Sequence, residues 1–497
     1  MLNFFKRYIG DKQFYRELFI VAMPIALHQL LSSLINFLDS AMIGQWGRTN
    51  LGSSEILTSS VMIANRYFSS FQFIAIMVAL SCTIFISHYL GAKRHDKIRK
   101  VFGLSLVLVG GLSLIVFAFG AIYSRQIIAF FATTMADGEM MITYGSQYLF
   151  IISFTFIPMA ISIPIGFALR ATKRTMVPLI ATGVSAVSNV LLNLLFIYVL
   201  DMGIVGAAIA TLIARFIELG IMLIHYFKVK PEFYGKFKEI FSFSKTMVAN
   251  ILQKGSPMIF AQVITEAIGI FMFFAYARIE AGNAGNIAAV NLSSRIVDIV
   301  VSLVGGMGSA ASILVGMRIG AGKIEEARTN ARWQLGYISL FSLISTAAMI
   351  ALIPLVTAVY QFEPATTTLL VSIMIIHALS LPFVFYSSNV IFITRAGGYT
   401  KSAIWITNVP YLLIKIPLIV LFVFISRSLF EQSIFLHSMM ERIGLGTSLV
   451  IFIFLIDRAI EIVRAGIAAA IYHRAKWWDG VETNEEEVEL IELQAQI

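Results

Sequence analysis

Long apolar runs separated by short polar segments recur twelve times along the 497-residue chain, at approximately 17–45, 55–89, 98–123, 140–169, 176–200, 203–227, 247–278, 287–317, 330–358, 366–394, 402–427 and 445–472. A helix crossing a bilayer takes about 20 apolar residues, so each run is long enough for one span. The longer runs predict tilted helices or helices that extend into the interface. Strands of a membrane barrel would instead show short alternating segments, and the chain has none. The first run is too long for a removable signal peptide, and no small-residue cleavage site ends it.

Composition sharpens this reading. Hydrophobic residues make up 58% of the chain and charged residues 13%, against about 25% charged in a soluble domain. So much apolar surface needs the bilayer as its solvent. The single cysteine, Cys82, excludes an internal disulfide framework and sits in an apolar run, where packing is the expected role. A formal net charge of +9 raises the question of nucleic acid, but the distribution answers it. Lys and Arg gather in alternate loops: Lys6 to Arg16, Lys93 to Lys100, Arg170 to Arg174, Lys228 to Lys254, Arg318 to Arg328, and Arg395 with Lys401. The opposite loops hold only Arg48, Arg125, Arg278, Arg427 and Arg442. Basic loops stay cytoplasmic, so both termini are expected inside, with an even number of spans and with Asp201 and Glu363 near the outer surface. The tail turns acidic at Glu485, Glu486 and Glu487 and reads as a solvated end.

The chain repeats itself. Leu90-Gly91-Ala92-Lys93 leading to Arg99 after span two matches Ile319-Gly320-Ala321-Gly322-Lys323 leading to Arg328 after span eight, and the same register places Arg66 on Arg295. Arg170-Ala171 and Thr175 match Arg395-Ala396 and Thr400, Arg215 and Glu218 match Arg458 and Glu461, and Pro24 matches Pro257. Each half has an even number of spans, so the repeat is parallel, about an axis along the membrane normal. The expected organisation is a cytoplasmic segment 1–16, a first lobe 17–227, an inter-lobe linker 228–246, a second lobe 247–476 and the acidic tail 477–497. Two such lobes enclose a cleft that opens alternately to each side as they rock, an architecture suited to secondary transport.

The residues that carry a resemblance are Pro24-Ile25-Ala26-Leu27, Leu38-Asp39 to Gly44, Leu169-Arg170-Ala171, Asn189 to Asn193 followed by Gly203 to Thr211, Ile287 to Asn291, and Arg395-Ala396-Gly397-Gly398. In order and spacing they resemble the multidrug and toxic compound extrusion (MATE) transporters over roughly residues 12–476. The resemblance implies an all-α membrane protein of twelve helices in two parallel pseudo-symmetric six-helix lobes, in a V shape. It implies export of organic, often cationic compounds in exchange for H⁺ or Na⁺, by a chain expected to be a monomer in the plasma (inner) membrane. A lipid-linked sugar flippase of the same superfamily is the alternative, to whose cavity Arg66, Arg295 and Lys415 would contribute; an intramembrane enzyme or scaffold ranks behind both. No cofactor, nucleic acid or ATPase subunit is expected: the chain has neither a phosphate-binding Gly-rich loop nor a metal or nucleophile motif.

Asp39 costs about 3 kcal/mol in lipid, and so must face protein or water. It is the candidate carboxylate for the coupling cation, with pairing to a cation such as Arg66 as the structural alternative. Asn189 and Asn193 share a helix face at roughly 20 and 26 Å from the inner end of span five. Their amides, with Asp39, suit a hard cation such as Na⁺. Thr211 joins them by matching a position in the family. In the second lobe, span ten reads Leu381-Pro382-Phe383-Val384 where many relatives carry an acid, and Gln262 and Glu266 stand where relatives place a glutamate. Arg66, Arg295 and Asp298 are candidates for ion pairing or gating, with Arg295 and Asp298 paired on one face. His28 and His377 lack metal-ligand spacing and are expected to pack or hydrogen-bond.

Overall fold

The computed structural model describes residues 8–51, 55–132, 138–279, 284–360, 364–425 and 449–479, with the isolated positions 433 and 438. The side chains of Arg295 and Asp298, and all of Glu363, lie outside this description. The described residues are nearly all helical and include no strand. The first half runs α1 (Lys12–Leu51), α2 (Glu55–Gly91), α3 (His95–Ile122), a short α4 (Ser124–Ala132), α5 (Gly138–Ser153), α6 (Phe156–Ala171), α7 (Met176–Asn193) and α8 (Gly203–Val229). A single turn, α9 (Phe237–Ile240), leads to α10 (Lys245–Ile279), α11 (Ala284–Gly320), α12 (Ile324–Tyr360) and α13 (Pro364–Ala396). A span Ile404–Val423 and α14 (Leu449–Arg474) complete the second half.

Ten of these helices are long and apolar enough to cross a membrane, and α5 with α6, bent by 49° at their junction, make an eleventh span. The twelfth is α14, an apolar helix that carries Asp457, Arg458, Glu461 and Arg464. Among the described residues these make twelve apolar helical spans, six in each half. At 1.5 Å per residue the 40-residue α1 is about 60 Å long, twice the hydrocarbon thickness, so it must tilt or project. Irregular helix falls where proline or polar residues disturb the ladder. The Ile404–Val423 span is largely π-helical around Pro410 and Pro417, and α7 passes into a π-helical turn, Leu194–Val199, directly after Asn193.

The two halves interlock at the end that carries the basic loops. There, Phe14, Leu18, Val21, Ala22 and Ile25 of α1 pack in one core with Ile268, Leu314 and Ile373 of the second half. Farther along, Ile43 of the same helix belongs to a first-half core with Leu57 and Ile197. The start of α10 does the converse: Ile251, Met247 and Val248 pack with Phe102, Leu169 and Tyr226 of the first half. Each lobe therefore lends the start of its first helix to the other.

The repeated Gly-Ala motif sits at the same end and explains itself. A Cβ on Gly91 would stand 2.0 Å from the Met317 carbonyl oxygen, and one on Gly320 would stand 2.0 Å from the His88 carbonyl oxygen. The register that carries Gly91 to Gly320 carries His88 to Met317, so the two contacts are one contact seen from each side of the pseudo-twofold axis. Only a residue without Cβ lets the backbones approach this closely. The His88 ring adds a 2.6 Å hydrogen bond to the Ala396 carbonyl.

The linker is packed on the first lobe, with Phe233 and Ile240 fully buried and Arg174 and Arg99 each 3.1 Å from Glu232 and Glu239. At the other terminus, Trp477, at the start of the expected tail, is buried and stacks on Tyr472, and Arg328 covers the Trp478 ring. Packing of the second lobe thus continues past 476 to these two tryptophans.

Candidate functional site

Asp39 lies in the far half of α1, 5% exposed, where α1 meets the end of α7 and the start of α8. Asn193 Nδ2 donates to Asp39 Oδ1 at 2.5 Å and stands 3.4 Å from Asn189 Oδ1. Asn189 Nδ2 donates to Thr211 Oγ1 at 3.2 Å. Thr211 has one proton, directed either to Asp39 Oδ2 at 3.4 Å or to the Ala207 carbonyl at 3.1 Å. Asp39, Asn189, Asn193 and Thr211 therefore form one closed polar cluster inside the first lobe. Asn193 Oδ1 is buried there with no partner. It is a spare acceptor beside the carboxylate.

The surroundings hold this cluster in place. The Trp46 indole donates to Asp201 Oδ1 at 2.8 Å, and Tyr198 Oη donates to the Met42 carbonyl at 3.0 Å. Gly203 adopts φ +53°, and a Cβ there would meet the Trp46 ring at 2.6 Å. The far end of α1 is thereby clamped to the turn between α7 and α8. Asp201 is exposed at that turn.

Arg66 takes no part in the cluster. It stands 3.9 Å from Glu266 across the lobe boundary, and Glu266 also accepts from Ser70 at 3.0 Å and from Gln262 at 2.8 Å. The second-lobe candidates Gln262 and Glu266 thus belong to a contact between α10 and α2. On α8, one turn beyond Thr211, Arg215 pairs with Glu218 at 2.8 Å; Glu218 also accepts from Thr182 at 2.9 Å. Sequence reading found Arg215 and Glu218 only as a repeat match. The available signal was their spacing from Thr211, which places all three on one face of α8. Farther toward the basic end, Arg170 Nη2 donates to the His28 ring at 3.1 Å. Tyr148 was missed as well: it is buried and bonds Asn65, and no sequence pattern marked it.

The second lobe answers with a different network. Asp457 is bridged by Lys415 and by Arg458, while Glu461 accepts from Arg464 at 2.5 Å and from Tyr411 at 2.8 Å. Its carboxylates are held by cations, whereas the hydrogen bonds to Asp39 come from neutral groups. His377 bonds Ser293 at 2.9 Å and packs on Phe454.

The MatE family model matches residues 24–195 and 257–421, one segment in each half. The chain is 25% identical over 362 residues, 72% of its length and 76% of the relative's, to a probable multidrug resistance protein NorM of Halalkalibacterium halodurans. It is 23% identical to human multidrug and toxin extrusion protein 1, over 81% of this chain and 68% of that one. A variant of the Vibrio cholerae MATE transporter VcmN superposes with a TM-score of 0.77 at 18% identity, covering 94% of this chain and 98% of that one. A MATE structure in a bent conformation gives a TM-score of 0.76 at 18% identity, covering 96% and 99%. At such identities the structural likeness speaks for the fold.

Proposed function

The chain belongs to the MatE family, and from that premise we propose that it is a secondary exporter of organic, cationic or amphiphilic compounds, driven by inward flow of H⁺ or Na⁺. The observation that carries this reading is the Asp39 cluster: a buried carboxylate whose hydrogen-bond partners are all neutral, on a lobe that can move against its twin. A neutral shell leaves the carboxylate's charge to be met by a cation that comes and goes. The paired acids of the second lobe lack that freedom.

The positive-inside bias puts both termini and the interlocked end in the cytoplasm. On this reading the end closed by the Gly91 and Gly320 contacts is the inner one, which supports uptake of the cation by Asp39 from outside. Asn193 can serve both states of the carboxylate. Its Nδ2 donates to ionised Asp39. After an amide turn, its spare Oδ1 can accept from protonated Asp39 or, with Asn189 Oδ1 and Thr211 Oγ1, ligate Na⁺. One carboxylate favours one charge per cycle. Exchange requires that the loaded and empty clusters favour different lobe arrangements.

The test is transport by the purified protein in liposomes, with a pH gradient and a Na⁺ gradient imposed separately. Substrate movement should follow one of the two gradients and stop when an ionophore collapses it. Movement indifferent to both would refute ion coupling.

A further inference from the structure

The pseudo-symmetry exposes a difference between the lobes. In the first lobe Arg170 is met by His28 at 3.1 Å. The register that carries Pro24 to Pro257 carries His28 to Ala261, and the Arg-Ala repeat carries Arg170 to Arg395. The second lobe therefore keeps the arginine and lacks the side chain that meets it. In place of the missing imidazole is a cavity of roughly 200 Å³, lined by Ala261, Arg395 and Arg464 together with Thr265, Thr407 and Asn408.

Among the described residues the Arg395 guanidinium makes no hydrogen bond or ion pair, and its Nε is buried without a partner. No carboxylate lines the cavity. Arg464 is neutralised by Glu461 and donates to Thr407 and to the Ile406 carbonyl, so the unmet charge is that of Arg395. Arg395 is only half-buried, and the cavity wall offers no counter-charge to offset that partial desolvation. Asn408 adds a second unmet group: its Nδ2 donates to the Ala261 carbonyl at 3.0 Å, while its Oδ1 is buried without a partner. An anion would satisfy Arg395, and a hydroxyl on that anion would satisfy Asn408.

We propose that this second-lobe cavity binds a phosphate-type anion that also carries a hydroxyl, seated on Arg395 with its hydroxyl toward Asn408. Hydrogen phosphate and a phosphoglycerol headgroup both have this chemistry. Guanidinium recognition of phosphate is strong and directional, and Thr407, whose hydroxyl accepts from Arg464 and keeps its own proton, supplies a further donor within the same walls.

The test uses the full chain in nanodiscs and follows its thermal unfolding. One arm adds inorganic phosphate, against chloride at equal ionic strength, in phosphatidylcholine discs. The other compares phosphatidylglycerol with phosphatidylcholine discs without phosphate. The wild type should gain Tm in at least one arm, and the responding arm names the source. Ala261→His, which installs the first lobe's own partner for the arginine, should fold and weaken the response at least about tenfold in apparent affinity. Arg395→Gln should do the same, and if it fails to fold, Ala261→His decides alone. Absence of a Tm gain in both arms, or a gain unchanged by Ala261→His, would overturn the proposal.

Discussion

At the scale of single residues, Asp39 and Asn193 carry the most weight. A hydrogen bond to a charged group contributes about 1.5–3 kcal/mol, so losing the Asn193 donor to ionised Asp39 in Asn193→Ala should shift the apparent ion affinity by roughly tenfold to a hundredfold, toward tighter binding if the ion is H⁺ and toward weaker binding if it is Na⁺, which loses a ligand, measured as the ion concentration giving half-maximal export. Thr211→Val should shift it less, because the Thr211 proton has the Ala207 carbonyl as its nearer acceptor. Equal shifts in the two variants would contradict the geometry. Residues of this cluster were legible because polar side chains in long apolar runs are few, and each demands an explanation. Their partners were less legible. Arg66 and Arg215 are equally conspicuous in the sequence, and only the packing of the helices decides that Arg66 stands by Glu266 and Arg215 by Glu218 rather than by Asp39. Outside the membrane, burial works to raise the Glu232 carboxyl, but Arg174's hydrogen bonds and charge outweigh it and hold Glu232 below the ordinary carboxylate range. A lowered folded-state pKa contributes stability above the unfolded value of about 4.3 and loses it as pH falls through the folded value. Glu232→Gln should therefore cost no more than about 1 kcal/mol at neutral pH, a difference from wild type that disappears in acid. A difference that grows in acid would contradict the pairing.

At the scale of elements, the repeated glycines have a physical explanation. A Cβ 2.0 Å from a carbonyl oxygen is well inside the ordinary contact distance of about 3.5 Å, so the helices must part. Gly91→Ala and Gly320→Ala should each push α2 and α11 apart at the basic end and shift the population toward the form open on that side. Spin-label distances across that end measure it: longer distances in both variants, by symmetry to similar extents, are expected, and an unchanged distribution would contradict the close contact. The motif was visible in the sequence as a repeat. Its meaning was not, because a glycine in a loop reads first as a turn residue, and the partner carbonyl lies in the other half of the chain. The charges of α14 show the reverse case. Glu461 and Arg458 were visible as a repeat match, yet the ties to Lys415 and Tyr411 depend on a π-helical span whose irregular register no periodicity reveals.

At the scale of the whole molecule, twelve apolar runs and alternating basic loops were enough for the helix count and the two-lobe plan, because the bilayer admits so few ways to satisfy a backbone. The exchange of helix starts between lobes was hidden, since α1 and α10 are apolar on every face along much of their length and pattern alone gives no direction. The central claim is that the charge of Asp39 couples ion flow to export. The most direct measurement is gradient-driven substrate accumulation by the Asp39→Asn protein in liposomes, beside substrate binding by the same preparation. Binding should persist while accumulation falls to the level of protein-free liposomes under both pH and Na⁺ gradients; accumulation at the wild-type rate under either gradient would contradict the account.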